Sequence, residues 1–247
     1  MIPGLQGGLV DAGSVLNLDT SENDVDVWDR VGSPAEIIHL TIWIDSGVVI
    51  GGRPALDVTG LTAGSRVIIM NEGRIQGQGG DGGQGDRGQE SGGTFSLRGG
   101  GGGGGVGTPF GLKGLGRVVG GGANGDDGTD GGTELTTEGI GGANEYVGED
   151  PRSFISGDPP LDGGDAIASD AIKISINNIN GQIWGGGGGG DGGRRPPGGP
   201  NEDGWDGGDA AEDAPGTVSG SAGYAIRGSD VTFINGGSSP NVEGTVG

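Results

Sequence analysis

The sequence predicts an all-β, largely irregular chain with essentially no α-helix: a small β-helix-like domain of stacked strands plus a body of packed glycine strands. Three observations lead there. Glycine supplies 67 of 247 residues, concentrated in runs such as Gly99–Gly105 and Gly185–Gly190 and the broken run Gly77–Gly88. A strand–turn–strand unit recurs four times. No window carries a convincing 3.6-residue apolar period.

Ordinary chains hold about 7% glycine, so the runs need a physical reason. One is a flexible linker, because glycine loses the most backbone entropy on ordering. The other is a bundle of close-packed extended strands with three residues per turn and no internal hydrogen bonds. Such a bundle must satisfy every amide across strands, and only a residue without a side chain lets backbones approach so closely. Collagen is excluded, because no Gly-X-Y triplet holds and only 12 prolines occur.

The repeats favour packing over linker. Residues 1–36 are mixed, and Trp28 with Val25 and Val27 suits a short half-buried strand. Ile37-Ile-His-Leu-Thr-Ile-Trp-Ile44 is the strongest strand signal in the chain. The turn after it, Asp45-Ser-Gly-Val-Val-Ile-Gly51, matches Asn71-Glu-Gly-Arg-Ile-Gln-Gly77. It returns as Asn178-Ile-Asn-Gly-Gln-Ile-Trp-Gly185, and more loosely at 235–244. Each copy follows an alternating apolar segment, and three are preceded by a common piece: Pro54-Ala-Leu-Asp-Val, Asp165-Ala-Ile-Ala-Ser-Asp and Tyr224-Ala-Ile-Arg-Gly-Ser-Asp. One such unit cannot bury its face alone, so the copies stack, which places residues near 40, 70, 175 and 233 side by side. The glycine segments then leave and return to pinned points, unlike linkers. The division expected is a β domain from 1–76, completed by strands near 165–184 and 223–247, and a glycine-rich part from 77–164 and 185–222. Within the latter, Gln89–Arg98 weakly echoes the common piece.

Composition narrows the function. The net charge is −21, which argues against nucleic acid, whose phosphates require cations. No cysteine occurs, so disulfides and thiolate metal sites are out. No apolar stretch reaches membrane-span length, so no membrane insertion is expected. The start of the sequence lacks a signal-peptide pattern, so synthesis in the cytoplasm or export by another route is expected. One histidine and no cysteine leave acid–base chemistry to carboxylates, and nothing singles out a pair among 34 acidic residues. No enzyme and no cofactor are expected. Gly-x-G-x-x-Gly matches abound, but no helix follows them, so none reads as a phosphate loop.

Gly223-Tyr-Ala-Ile-Arg-Gly-Ser-Asp-Val-Thr-Phe-Ile-Asn235, together with Val67-Ile-Ile-Met-Asn-Glu-Gly-Arg-Ile-Gln-Gly-Gln-Gly-Gly80, resembles glycine-rich bacteriophage tail proteins, notably the distal tail-fibre adhesins of T-even-type phages. The resemblance covers roughly 37–247 in layout and departs at 1–36. It implies an N-terminal attachment domain that caps the fibre, and a polyglycine-II sandwich whose loops bind an outer-membrane receptor. The implied location is the distal end of a tail or tail fibre of the virion. The implied partners are a neighbouring tail or fibre protein and a bacterial outer-membrane protein or surface glycan.

Under that resemblance the receptor-binding candidates are Phe110, Leu112, Tyr146, Phe154, Arg194, Arg195 and Trp205, since loops on rigid scaffolds carry recognition and aromatics and arginine dominate hot spots. The alternative for the aromatics is that they seal the bundle ends against water. Trp28, His39 and Trp43 are candidates for particle attachment, with an ordinary core role as the alternative. The aspartates beside glycine (Asp81, Asp86, Asp126, Asp127, Asp130, Asp191) suggest calcium-binding nonapeptide repeats, but no nine-residue period exists. They read instead as solvated charges on outer strand positions, and no metal site is expected. The rival functions are a structural cap of a fibre or tail tip, an ice-binding protein and a calcium-dependent β-roll.

Overall fold

Alternation of apolar and polar residues, as in His39–Ile44, puts every second side chain on one face of a strand. A computed structural model of the protein describes residues 13–84, 87–89, 95–98, 104–112, 129–133, 138–140, 145–146, 153–155, 159–190, 206–209, 212–214, 219–228, 230–237 and 241–247. The protein is all-β, with one short helix among the described residues. In chain order come β1 (Ser14–Leu18), β2 (Glu22–Asp26), α1 (Val27–Arg30), β3 (His39–Ile44), β4 (Val49–Asp57), β5 (Arg66–Asn71) and β6 (Arg74–Gly77). They are followed by β7 (Arg87–Gln89), β8 (Phe95–Arg98), β9 (Glu145–Tyr146) and β10 (Ser153–Ile155). The rest are β11 (Ile167–Ala168), β12 (Lys173–Asn178), β13 (Gln182–Trp184), β14 (Ile226–Arg227), β15 (Val231–Asn235) and β16 (Val242–Glu243). The chain forms two units, one of Met1–Gly77, Asp165–Trp184 and Tyr224–Gly247, the other of Gln78–Gly164 and Gly185–Gly223.

The first unit is a stack of parallel strands. One sheet runs β1-β3-β5-β12-β15, and the other runs β14-β11-β4-β6-β13-β16 with β2 against β4. Register aligns the apolar positions into columns. Leu16, Ile42, Ile69, Ile176 and Phe233 make one. Ile50, Ile75, Ile183 and Val242 make a second, and Val25, Leu56, Ile167 and Ile226 a third. The column positions are buried apart from Phe233, which is partly buried against the same core. Each fully buried isoleucine contributes about 2 kcal/mol by leaving water. The recurring Ala-Leu/Ile piece is thus the third column, and its alanines, Ala55, Ala166 and Ala225, are fully buried beside it.

Polar groups fix the turns. Asn71 and Asn178 lie in register at the ends of β5 and β12, and both are buried. The Asn71 amide donates to Asn178 Oδ1 at 2.8 Å and to the Gln182 carbonyl at 3.3 Å, and its Oδ1 accepts the Gly73 N–H at 3.1 Å. Asn178 in turn donates to the Gly236 carbonyl at 3.0 Å. The asparagine of the turn motif therefore ties successive layers together.

Three sequence expectations change here. Trp28 does not sit in a strand: Asp26 accepts the Asp29 N–H at 3.0 Å and caps α1, which carries the indole. Asp45 is not the equivalent of Asn71, because Ile44 pairs with Asn71 and Ile50 with Ile75, so the first turn is longer than the second. Gln89–Arg98 is no echo of the common piece. It contributes to an antiparallel sheet ordered β10-β7-β8-β9, whose pairing of residues 87–98 with 145–155 leaves no local periodic trace.

In the second unit, glycine segments bond to one another outside any β-ladder. Within 185–190, Gly186 and Gly189 donate to Gly164 and Leu161 of one neighbour, Gly187 to Val106 and Gly188 to Glu212. In return Gly80 and Gly83 donate to Gly187 and Gly190, Gly223 and Gly220 to Gly186 and Gly189, and Gly208 to Gly188, all at 2.7–3.1 Å. Successive amides thus point to different neighbours, and the same neighbour returns after three residues. A Cβ on Gly188 would overlap the Gly220 carbonyl, and one on Gly189 the Asp81 carbonyl. Both approaches are closer than any side-chain carbon tolerates.

Two substitutions test these constraints. Asn71→Ala leaves the buried Gly73 amide and Asn178 oxygen unpaired, and is expected to cost about 2–4 kcal/mol, measured by denaturant unfolding. Gly188→Ala is expected to cost about 3 kcal/mol or more, because backbone rather than a flexible side chain must move. Wild-type stability for either variant counts against the corresponding contacts.

Candidate functional site

Side chains leave a glycine lattice at outer positions of its strands, where a strand runs out or where a turn interrupts it. The segment 109–112 is such a place. Gly111 is buried, donating to Gly105 and accepting from Gly131 at 2.9 Å each, while its neighbours Phe110 and Leu112 are 39% and 55% exposed. Leu112 is pinned twice: its N–H reaches Asp81 Oδ1 at 2.8 Å, and its carbonyl accepts from Gly82 at 2.8 Å. Leu161, 46% exposed, is held by the same residue, since its N–H donates to the Asp81 carbonyl at 2.8 Å. Asp81 is therefore bonded to the backbones of two exposed leucines, through its carboxylate to Leu112 and through its carbonyl to Leu161. Sequence reasoning missed Leu161, and also the exposed Ile140. Its available signal was a large apolar residue interrupting a glycine- and aspartate-rich segment.

The other candidates fall as follows. Tyr146 and Phe154 lie on β9 and β10, the two edge strands of the antiparallel sheet, opposite Leu97 and Gly88. Arg194, Arg195 and Trp205 lie outside the described residues, as do Asp86, Asp126, Asp127 and Asp191. Trp28 is 37% exposed on α1. His39 and Trp43 share the outward face of β3, exposed and half-buried respectively, so neither takes the core role.

Asp81 does not act as a free solvated charge, because its carboxylate accepts a backbone N–H. Asp162 does the same for Ser221, and Asp213 for Ala222, at 2.7 Å each. These carboxylates stand where a lattice amide has no facing carbonyl. Among the described residues, no group of three or more His, Cys, Asp or Glu side chains is arranged to hold a metal.

One acidic pair is unusual. The bond from Gly207 to the Gly139 carbonyl brings Asp209 beside Glu138. Burial pushes the Asp209 carboxyl up to about 7, aided by its hydrogen bond to Glu138 and by the charges of Glu138 and Glu212. The same hydrogen bond from Asp209 draws Glu138 below its ordinary value. Asp209 Oδ1 is buried without a hydrogen-bond partner. Below about pH 7, Asp209 thus keeps its proton in the folded protein while Glu138 carries the charge.

The folded chain defines an all-β protein that joins stacked parallel strands to a hydrogen-bonded glycine lattice. No family model matches it, and no curated protein does. It is similar to a solved structure, the crystal structure of the gp37–gp38 adhesin tip complex of the bacteriophage S16 long tail fibre. The identity is 15% and the TM-score 0.41, over 94% of this chain and 82% of that one.

Asp209 supplies a pH prediction. Its folded value lies above that of an unfolded aspartate, so the stability it contributes is complete below about 4 and is lost as pH rises through about 7. Asp209→Asn is expected to flatten the fall in melting temperature between pH 5 and 8. A variant whose profile parallels the wild type removes the protonated pair.

Proposed function

We propose that the protein is a phage tail adhesin at the tip of a tail or tail fibre, recognising a host-cell surface receptor through side chains held on a polyglycine-II scaffold. The observation that carries this reading is Leu112: its backbone is fixed on both sides by the lattice, yet its side chain is 55% exposed. A large apolar side chain on an immobile backbone loses little ordering entropy on binding. Phe110, two residues before it, and Leu161, bonded to the same Asp81, are further exposed apolar side chains of this unit. The three-residue return of hydrogen bonds around 185–190 supports the polyglycine-II description, whose strands have three residues per turn. The sequence motifs at 67–80 and 223–235 support the phage family. The receptor is a bacterial outer-membrane protein or surface glycan, the second partner is a neighbouring fibre protein, and no catalytic step is involved.

The test is adsorption of the fluorescently labelled full chain to a panel of Gram-negative bacteria. Saturable binding to some strains is expected, weakened at least tenfold by Leu112→Asp or Leu161→Asp and also reduced by Trp205→Ala. A folded protein that binds no strain is a structural cap of the fibre or tail tip. Binding untouched by all three substitutions moves recognition away from these positions.

A further inference from the structure

A parallel sheet stacks its residues in columns about 4.8 Å apart, outside as well as inside. On the outward face of the first sheet, His39, Arg66 and Lys173 occupy neighbouring register positions on β3, β5 and β12. All three are exposed, while the next residues, Leu40, Val67 and Ile174, turn into the core. Three nitrogen donors thus stand in a line spanning roughly 10 Å.

This line is unusual in so acidic a chain. Arg30 pairs with Glu22. Arg227 pairs with Asp165 and lies over Tyr224. Arg74 bonds Gln182 and lies over Trp184, and Arg53 also has a partner. Among the Lys and Arg residues whose side chains are described, Arg66 and Lys173 have no such partner, and they stand next to each other. Like charges directly opposite on a sheet repel, and any of 34 acidic residues placed here would have neutralised them. Instead, the depression of about 320 Å³ over the line has no carboxylate among the described residues of its lining. Thr41 and Ser175 border it from the next outward positions, on either side of Ile68. Asp230, one residue before Val231 opposite Ile174, lines the adjoining depression together with Arg66 and Lys173 and ends the line there.

We propose that His39, Arg66 and Lys173, with the hydroxyls of Thr41 and Ser175, form an anion-binding site for a compact ligand bearing two or more phosphate groups. The chemistry selects phosphate: a guanidinium fork bonds two oxygens of one group, and an ammonium meets a second as a point charge. The size selects a compact ligand, since the depression lies at the small end of ligand pockets, whereas an acidic peptide strand extends about 3.4 Å per residue and overruns it. The phosphates come from a free polyphosphate or from a phosphorylated glycan. The site is independent of the leucines on the glycine lattice and of the adhesin reading.

The experiment is calorimetric titration of sodium pyrophosphate into the full chain at fixed ionic strength. Saturable binding is expected, weakened at least tenfold in the Arg66→Gln/Lys173→Gln double variant, by an intermediate factor in each single variant, and unchanged in Arg30→Gln. These exposed side chains can be replaced without opening the core, and circular dichroism checks each fold. A second arm compares intact with dephosphorylated lipooligosaccharide. Binding that depends on its phosphates identifies a glycan-borne ligand, and pyrophosphate binding without it identifies a free one. No saturable binding, or equal loss in Arg30→Gln, overturns the site. A hexa-aspartate peptide that binds more tightly than pyrophosphate and displaces it also overturns the phosphate assignment, in favour of an acidic protein segment.

Discussion

The second unit depends on one requirement: each buried backbone amide must find a carbonyl on another segment, because these extended segments make no bonds within themselves. In 185–190 the requirement is met in rotation, with Gly186, Gly187 and Gly188 donating to three different neighbours. Six segments then surround one, closer than a β-carbon permits. Glycine is thus needed less for its conformational freedom than for what it lacks. Once the lattice forms, the entropy lost in ordering glycine is offset by bonds that no longer compete with water, and the backbone becomes rigid without a conventional apolar core.

Three of the aspartates answer the same requirement. Some lattice amides, those of Leu112, Ser221 and Ala222, are bonded by a side chain instead of a carbonyl, and Asp81, Asp162 and Asp213 place a carboxylate there. An aspartate is short enough to act as a detached acceptor, and its charge strengthens the bond. Asp209 lies at the limit of this scheme. Packed against Glu138 with one oxygen buried and unbonded, it keeps its proton below about pH 7.

The first unit solves the same problem by an ordinary ladder and directs its side chains in two ways. Inward, the columns of Leu, Ile and Val bury the core, and Asn71 and Asn178 hold the turns. Outward, the same register sets His39, Arg66 and Lys173 in a line and places Trp43 opposite Met70. A parallel stack amplifies whatever its outward positions carry, so one nitrogen donor per layer becomes a row across three layers.

Much of this was legible in the sequence. Alternation in 39–44, 66–71 and 173–178 fixed the strands and their inward faces, and the repeated Ala-Leu/Ile piece marked a column of the core, because both are local patterns imposed by the two-residue period of a strand. The glycine runs by themselves suited a linker as well as close packing, and only the repeats at their ends favoured packing. What only the tertiary structure decided depends on distant segments. The pairing of β7 and β8 with β10 and β9 joins residues 47 to 68 positions apart with no repeat to announce it. Asp81 holds Leu112 through its carboxylate and Leu161 through its carbonyl, and neither bond leaves a pattern in the sequence, because the partners are distant along the chain. The single-residue shift that sets Ile44, not Asp45, opposite Asn71 was decided by core packing, because a strand displaced by one residue turns its apolar side chains to the water.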